Sequence, residues 1–279
     1  MLNVLFVTIA AATPLLLASM GGFLSERGGV INIGLEGLML VSACVTALVS
    51  VHWGPYGGLT AGLVSAVLLS LIHWLMTQVY RIDHVISGMA INALAAGGTN
   101  FMLGEFSDPS RAGSFPHLPV SWFKVAAFGV PAVLWLFVHY TRAGLRLVAT
   151  GSDPDKARLA GLSPVRIRLM ALIGTGVLAG LAGSMLSSDT GGFTDNMTAG
   201  RGYIALAALI LGGWRPLPTL GACLAFGFFS ALWVQFQGQV VFGVQPPSQL
   251  WASLPYLATV VALAGFLGRN RTPAGLGKH

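Results

Sequence analysis

The chain has 279 residues, of which 54% are hydrophobic and 9% charged, with a mean hydropathy of +0.76. An ordinary soluble domain carries about 25% charged residues, so this length holds a membrane part and leaves no room for a soluble domain beside it. The net charge of +6 does not point to nucleic acid, because the basic residues gather at the ends of apolar runs, where they set orientation.

From the N-terminus, the first apolar run long enough to cross a hydrocarbon core, about 20 residues, covers 4–24. No basic residue precedes it, as a secretory signal would need, so a retained span is expected. Ser25-Glu26-Arg27 ends it. A glycine-interrupted stretch, 28–37, leads into a second run that reaches Val51, and a turn with Pro55 is expected at 52–56. The third span is 57–79. Gly54, Gly58 and Gly62 stand four residues apart and give a smooth face for close helix packing. After a short polar loop the fourth span is 85–103. The stretch 105–120, with Pro109, Pro116 and Pro119, reads as an irregular outer loop, and the fifth span is 121–140.

The stretch 141–168 is the longest polar segment and holds six of the fifteen Lys and Arg residues. Basic loops between spans stay in the cytoplasm. Ser152 or Asp153 can N-cap a short helix, Pro154 suits its first turn, and Gly161 offers a stop before Pro164. An amphipathic helix over about 154–160 is therefore predicted on the cytoplasmic face, although a plain anchoring loop would need the charge alone.

The sixth span, 169–188, again carries packing glycines at 176, 180 and 183. Beyond the polar stretch 189–201, the run 203–213 is too short to cross alone and is expected to be a broken or re-entrant helix. Spans at 217–236 and 251–267 flank a polar stretch, 237–249. The count is nine crossings with the N-terminus outside. The residues after the first span, 26–31, echo those after the sixth, 200–204, on opposite sides of the membrane, as an inverted repeat would. The expected fold is thus all-α, a polytopic transmembrane helical bundle with interrupted helices, forming one domain over 1–279 with a cytoplasmic loop at 141–168.

No catalytic constellation stands out. The His residues are scattered, Cys44 and Cys223 lie inside apolar runs, and no phosphate-binding loop occurs. No metal, cofactor or catalytic residue is expected in this chain, so any ATP must be bound by another subunit. Polar groups inside spans are costly and face partners or a water-filled path. Asn32 and Glu36 share one helix face, and Asn92 and Asn100 lie two turns apart in the fourth span. These four either line a path for a polar solute or tie helices together. Phe101 could stack on a ring.

Four stretches carry a resemblance: SERGGVINIGLEGLMLVSA at 25–43, VISGMAINALAAGGTNFML at 85–103, TRAGLRLVATGSDPDKARLAGLSPVRIRLMALIGTGVLAGLAGSM at 141–185 and GRGYIALAALILGGWRPLPTLGACLAFG at 200–227. In order, they resemble ABC-type uptake permeases of the ribose and branched-chain amino acid superfamily, most closely the nucleoside branch served by basic-membrane-protein lipoproteins. The resemblance implies a permease subunit of a bacterial ABC importer in the cytoplasmic (inner) membrane, carrying a nucleoside or related heterocycle. It implies a cytoplasmic ATP-binding subunit that uses the ATP, a second permease, homologous or identical, and an extracytoplasmic substrate-binding lipoprotein. It also implies that Ser152, Asp153, Pro154, Asp155, Lys156, Arg158, Leu159, Gly161 and Leu162 form the element that couples to the ATPase. The alternative is an ion-gradient-driven secondary transporter, for which Glu36 is the one plausible titratable group in the path. An intramembrane enzyme would need paired catalytic residues at depth, and none is seen.

Overall fold

A computed structural model describes residues 2–106, 116–236, 257, 260 and 272–278. The centre of the expected outer loop, the polar stretch 237–249 and, apart from positions 257 and 260, the expected last span 251–267 lie outside the described residues.

Among the described residues the regular elements are helical: α1 Leu2–Arg27, α2 Leu35–Trp74, α3 His84–Phe106, α4 Val120–Tyr140, α5 Arg142–Ser152, α6 Pro154–Leu159, α7 Pro164–Thr190, α8 Arg201–Leu211 and α9 Pro216–Phe236. A π-helical segment, Leu75–Val79, prolongs α2. Among the described residues five helices are long and apolar enough to cross a membrane, namely α1, α2 with its prolongation, α4, α7 and α9. The chain is an all-α, polytopic membrane protein.

The turn expected at 52–56 is made by one residue. Gly54 takes φ 72° and ψ 179° inside α2, a left-handed conformation that glycine adopts without a Cβ penalty, and the helix folds back on itself there. The two arms pack closely: a Cβ on Gly58 would run into Ser50, and one on Gly62 would run into Thr46. The glycine spacing therefore serves a hairpin inside one element. The second glycine row instead packs one element on another, with Gly176 and Gly180 of α7 against Val67 and Leu63 of α2, and Gly183 against the backbone of Met39.

Helices α1 and α7 run antiparallel. Arg168 Nε donates to the Gly28 carbonyl at 3.1 Å and Thr175 Oγ1 to that of Gly21 at 2.8 Å, so residue numbers rise along one helix as they fall along the other. Each of the two helices is followed by an irregular stretch and then by the start of another helix, α2 after α1 and α8 after α7. That is the geometry expected of the echo between 26–31 and 200–204. The core between them is apolar, with Leu16, Leu17, Met20, Phe23, Leu35, Met39 and Leu209 buried.

Two features were not expected. Residues 142–152 form the amphipathic helix α5, N-capped by Thr141, whose Oγ1 accepts from Gly144 N at 3.0 Å. At the other extreme of the sequence, residues 272–278 turn back onto the bundle. Gly275 N donates to the Gly151 carbonyl at 3.0 Å and Gly277 N to that of Gly29 at 2.9 Å.

Candidate functional site

The short helix α8 organises the first site. Its 11 residues rise about 16 Å, roughly half of a 30 Å hydrocarbon core, so it cannot cross alone and must be held by protein. Both of its ends are held by carboxylates from the region around α1 and α2. At its start, Glu36 accepts from Gly200 N at 2.7 Å and Gly202 N at 2.6 Å. A carboxylate suits a helix N-terminus, where unpaired N–H groups and the helix dipole are both positive. At its end, the turn residue Trp214 donates its indole N–H to Glu26 at 2.5 Å.

Asn92 of α3 closes the same junction from the side. Its Oδ1 accepts from Gly37 N at 2.8 Å, capping the start of α2, and its Nδ2 donates to the Ile33 carbonyl at 3.0 Å and to Tyr203 Oη at 2.9 Å. Asn32 is buried, and its Nδ2 has no hydrogen-bond partner among the described residues. Three of the expected path residues, Asn32, Glu36 and Asn92, thus meet where two helix N-termini approach each other. Asn100 and Phe101 do not join them. They lie on an exposed face of α3, about 12 Å further along the helix from Asn92 at 1.5 Å per residue.

The loop between α1 and α2 is also gripped by polar side chains that sequence reading passed over. Buried Arg168, at the start of α7, donates from Nη1 to Gln78 Oε1 at 2.7 Å, besides its bond to Gly28. His84 Nδ1 accepts from Ile31 N at 3.2 Å, while the His73 ring bonds the Ile31 carbonyl at 3.0 Å and Ser87 Oγ at 2.9 Å. The rule that singled out Asn32, a polar group inside an apolar span, also applies to His73 and Gln78. Their signal was present in the sequence, whereas that of Tyr203 was hidden by its place at the edge of a short apolar run.

At the basic end of the bundle stands the expected short helix. Asp153 is its N-cap, with Oδ1 accepting from Asp155 N and Lys156 N at 3.1 Å each, and Pro154 sits in the first turn. The N–H of Lys156, then the Lys156 ammonium, hold the Asp153 carboxyl below the usual carboxylate range. Asp153 wins the cap over Ser152, whose Oγ instead donates to the Val148 carbonyl at 2.8 Å. Asp155 pairs with Arg158 at 2.9 Å and Asp153 with Lys156 at 3.2 Å. Such exposed pairs add little stability, but they fix the pattern of charge that the surface presents. Gly161 ends the segment with φ 78°, as a helix-terminating glycine does. Leu159 projects at 89% exposure and Leu162 is half-buried. Among the described residues no three His, Cys, Asp or Glu side chains are grouped to hold a metal ion.

The family described as the branched-chain amino acid transport system / permease component matches residues 4–268. The guanosine ABC transporter permease protein NupQ of Bacillus subtilis is 32% identical, over 97% of this chain and 93% of its own length. The nucleoside ABC transporter permease protein NupC of Lactococcus lactis is 31% identical, over 94% and 91%. A Haloferax volcanii protein described as a glucose ABC transporter permease is 32% identical, over 94% and 91%. A solved structure of an inward-facing metal-chelate type ABC transporter shares the fold with a TM-score of 0.59 at 14% identity, covering 95% of this chain and 85% of that one.

Proposed function

The chain belongs to the branched-chain amino acid transport system / permease component family, as a multi-pass permease subunit of an ABC transporter, and from that premise we propose that it imports a nucleoside. Guanosine and nucleoside permeases are among its relatives, and so is a protein described as a glucose permease at equal identity. An exposed aromatic at the junction favours the heterocycle. Tyr203 is 47% exposed, and its hydroxyl is held by Asn92, which in turn caps α2. A ring placed beside an amide suits a base, which offers both a π-face and hydrogen-bonding edges.

The observation that carries the energy-coupling part of the proposal is the capped helix α6. Its cap, proline start, glycine stop and projecting Leu159 give a small rigid knob at the basic, cytoplasmic end. This knob would seat in a groove of a separate ATP-binding subunit. Closure of two such subunits would pull the knobs of two permeases and rock them about a shared path, which an extracytoplasmic binding protein supplies with solute. Glu36, with both carboxylate oxygens occupied by α8, is poorly placed to carry a coupling ion, which weakens an ion-gradient mechanism.

The test starts from the complex purified with its co-expressed ATP-binding and permease partners. In proteoliposomes, guanosine uptake is expected to require ATP and to resist excess glucose; uptake driven by an ion gradient without any ATPase would overturn the reading. A second arm exchanges the ion pair, Asp155→Arg with Arg158→Asp. The Asp153 cap, Pro154 and Gly161 that define the helix are untouched while the surface pattern inverts. ATPase co-purification should fall at least tenfold, and unchanged recovery would remove the coupling role.

A further inference from the structure

A groove on the outside of the bundle is set apart from both sites. It is a cavity of about 480 Å³ between α1, α4, α5 and α7, within the range of about 300–1,000 Å³ that holds small organic molecules. Leu24, Leu134, Phe137 and Met170 line its apolar part, and Arg146 and Arg166 also line it. The layout is graded along the membrane normal. Arg146 stands midway along α5 and Arg166 in the first turn of α7, at the basic end, both exposed. Neither guanidinium bonds a described residue, whereas Arg158 and Arg168 both do. The apolar walls reach inward along α4 to Val133, seven residues before its end at Tyr140, or about 10 Å at 1.5 Å per residue. Met170 is 68% exposed on a membrane-spanning helix, so the groove opens sideways toward hydrocarbon.

We propose that this groove binds one anionic phospholipid of the cytoplasmic leaflet, with its phosphate on Arg146 and Arg166 and an acyl chain along Leu134, Phe137 and Met170. A soluble anion would satisfy the two guanidinium groups but leave the apolar walls empty. A neutral lipid would fill the walls but leave two unpartnered cations beside them. Only an amphiphile with a negative head matches both halves. Arginine is suited to the head because its planar fork takes phosphate oxygens two at a time, and basic clefts between spans at the cytoplasmic side are where anionic headgroups collect. The occupant would brace α5, the helix that leads directly into α6. The assignment is independent of which solute the permease carries.

Native mass spectrometry of the full-length permease in neutral detergent, titrated with phosphatidylglycerol or phosphatidylcholine, tests the site. One phosphatidylglycerol per permease should be retained on the order of tenfold more tightly than phosphatidylcholine, given two basic contacts. Arg146→Gln with Arg166→Gln should abolish that preference. Arg142→Gln, which removes a charge from the same helix as Arg146 but outside the groove, should leave it intact. Met170→Trp should fill the groove and lower retention of both lipids, and it stands in if the double variant fails to fold. Equal retention of the two lipids by the unmodified chain would overturn the proposal, as would an equal effect of Arg142→Gln. A dimer that Met170→Trp dissociates while lipid retention is unchanged would give the groove to a second copy instead.

Discussion

A carboxylate that accepts two backbone N–H groups from the start of a neighbouring helix cannot be exchanged for an amide without turning one acceptor into a donor. Glu36 is in that position toward Gly200 and Gly202. Glu36→Gln loses one charge-assisted bond and sets N–H against N–H, which should cost roughly 2–3 kcal/mol. Melting temperature and membrane expression should therefore fall together with transport, as seen by thermal unfolding in detergent beside an uptake assay. Lost transport at an unchanged melting temperature would instead give Glu36 a direct part in the path. Spacing alone placed Asn32 and Glu36 on one face and left two roles open, a path or a tie between helices. The residue that decides between them, Gly200, lies 164 positions away, and no local pattern in the sequence links the two.

Elements were legible where their signals were local. The Asp153 cap, Pro154 and Gly161 define α6 almost to the residue, because capping chemistry acts within a few positions. Helix α5 was missed because Thr141 to Ser152 mixes arginines with glycines, and its apolar side, including Leu147, becomes readable only once it lies against the bundle. The glycine rows announced close packing but not their partners. Gly183 meets the Met39 backbone, whereas Gly97, on the exposed face of α3, has open space around it. Gly183→Ala should therefore force α7 and α2 apart and cost about 1–3 kcal/mol. Gly97→Ala should be neutral or stabilising by up to about 1 kcal/mol, through helix propensity. The two melting temperatures, measured side by side, check the packing; equal shifts would contradict it.

At the scale of the whole molecule, the basic residues predict which way the helices run across the membrane. Arg27, Arg158, Arg168 and Arg215 cluster at one end, which by the positive-inside rule is expected in the cytoplasm. Asp155→Cys should accordingly react with a membrane-impermeant maleimide in inside-out vesicles and stay unlabelled in intact cells. The reverse pattern would invert the topology and take α6 out of reach of any cytoplasmic ATPase. Helix α8 carries a consequence of its own. It is pinned at its start by Glu36 and just past its end by Trp214 on Glu26, and those two carboxylates bracket a single short loop. A bolt fastened at both ends to the same frame travels only with that frame. During a transport cycle residues 26–36 and 200–214 are expected to swing as one piece, with the bending outside them, in the stretch that runs from the left-handed Gly191 at the end of α7 to the left-handed Asn196 and Ala199.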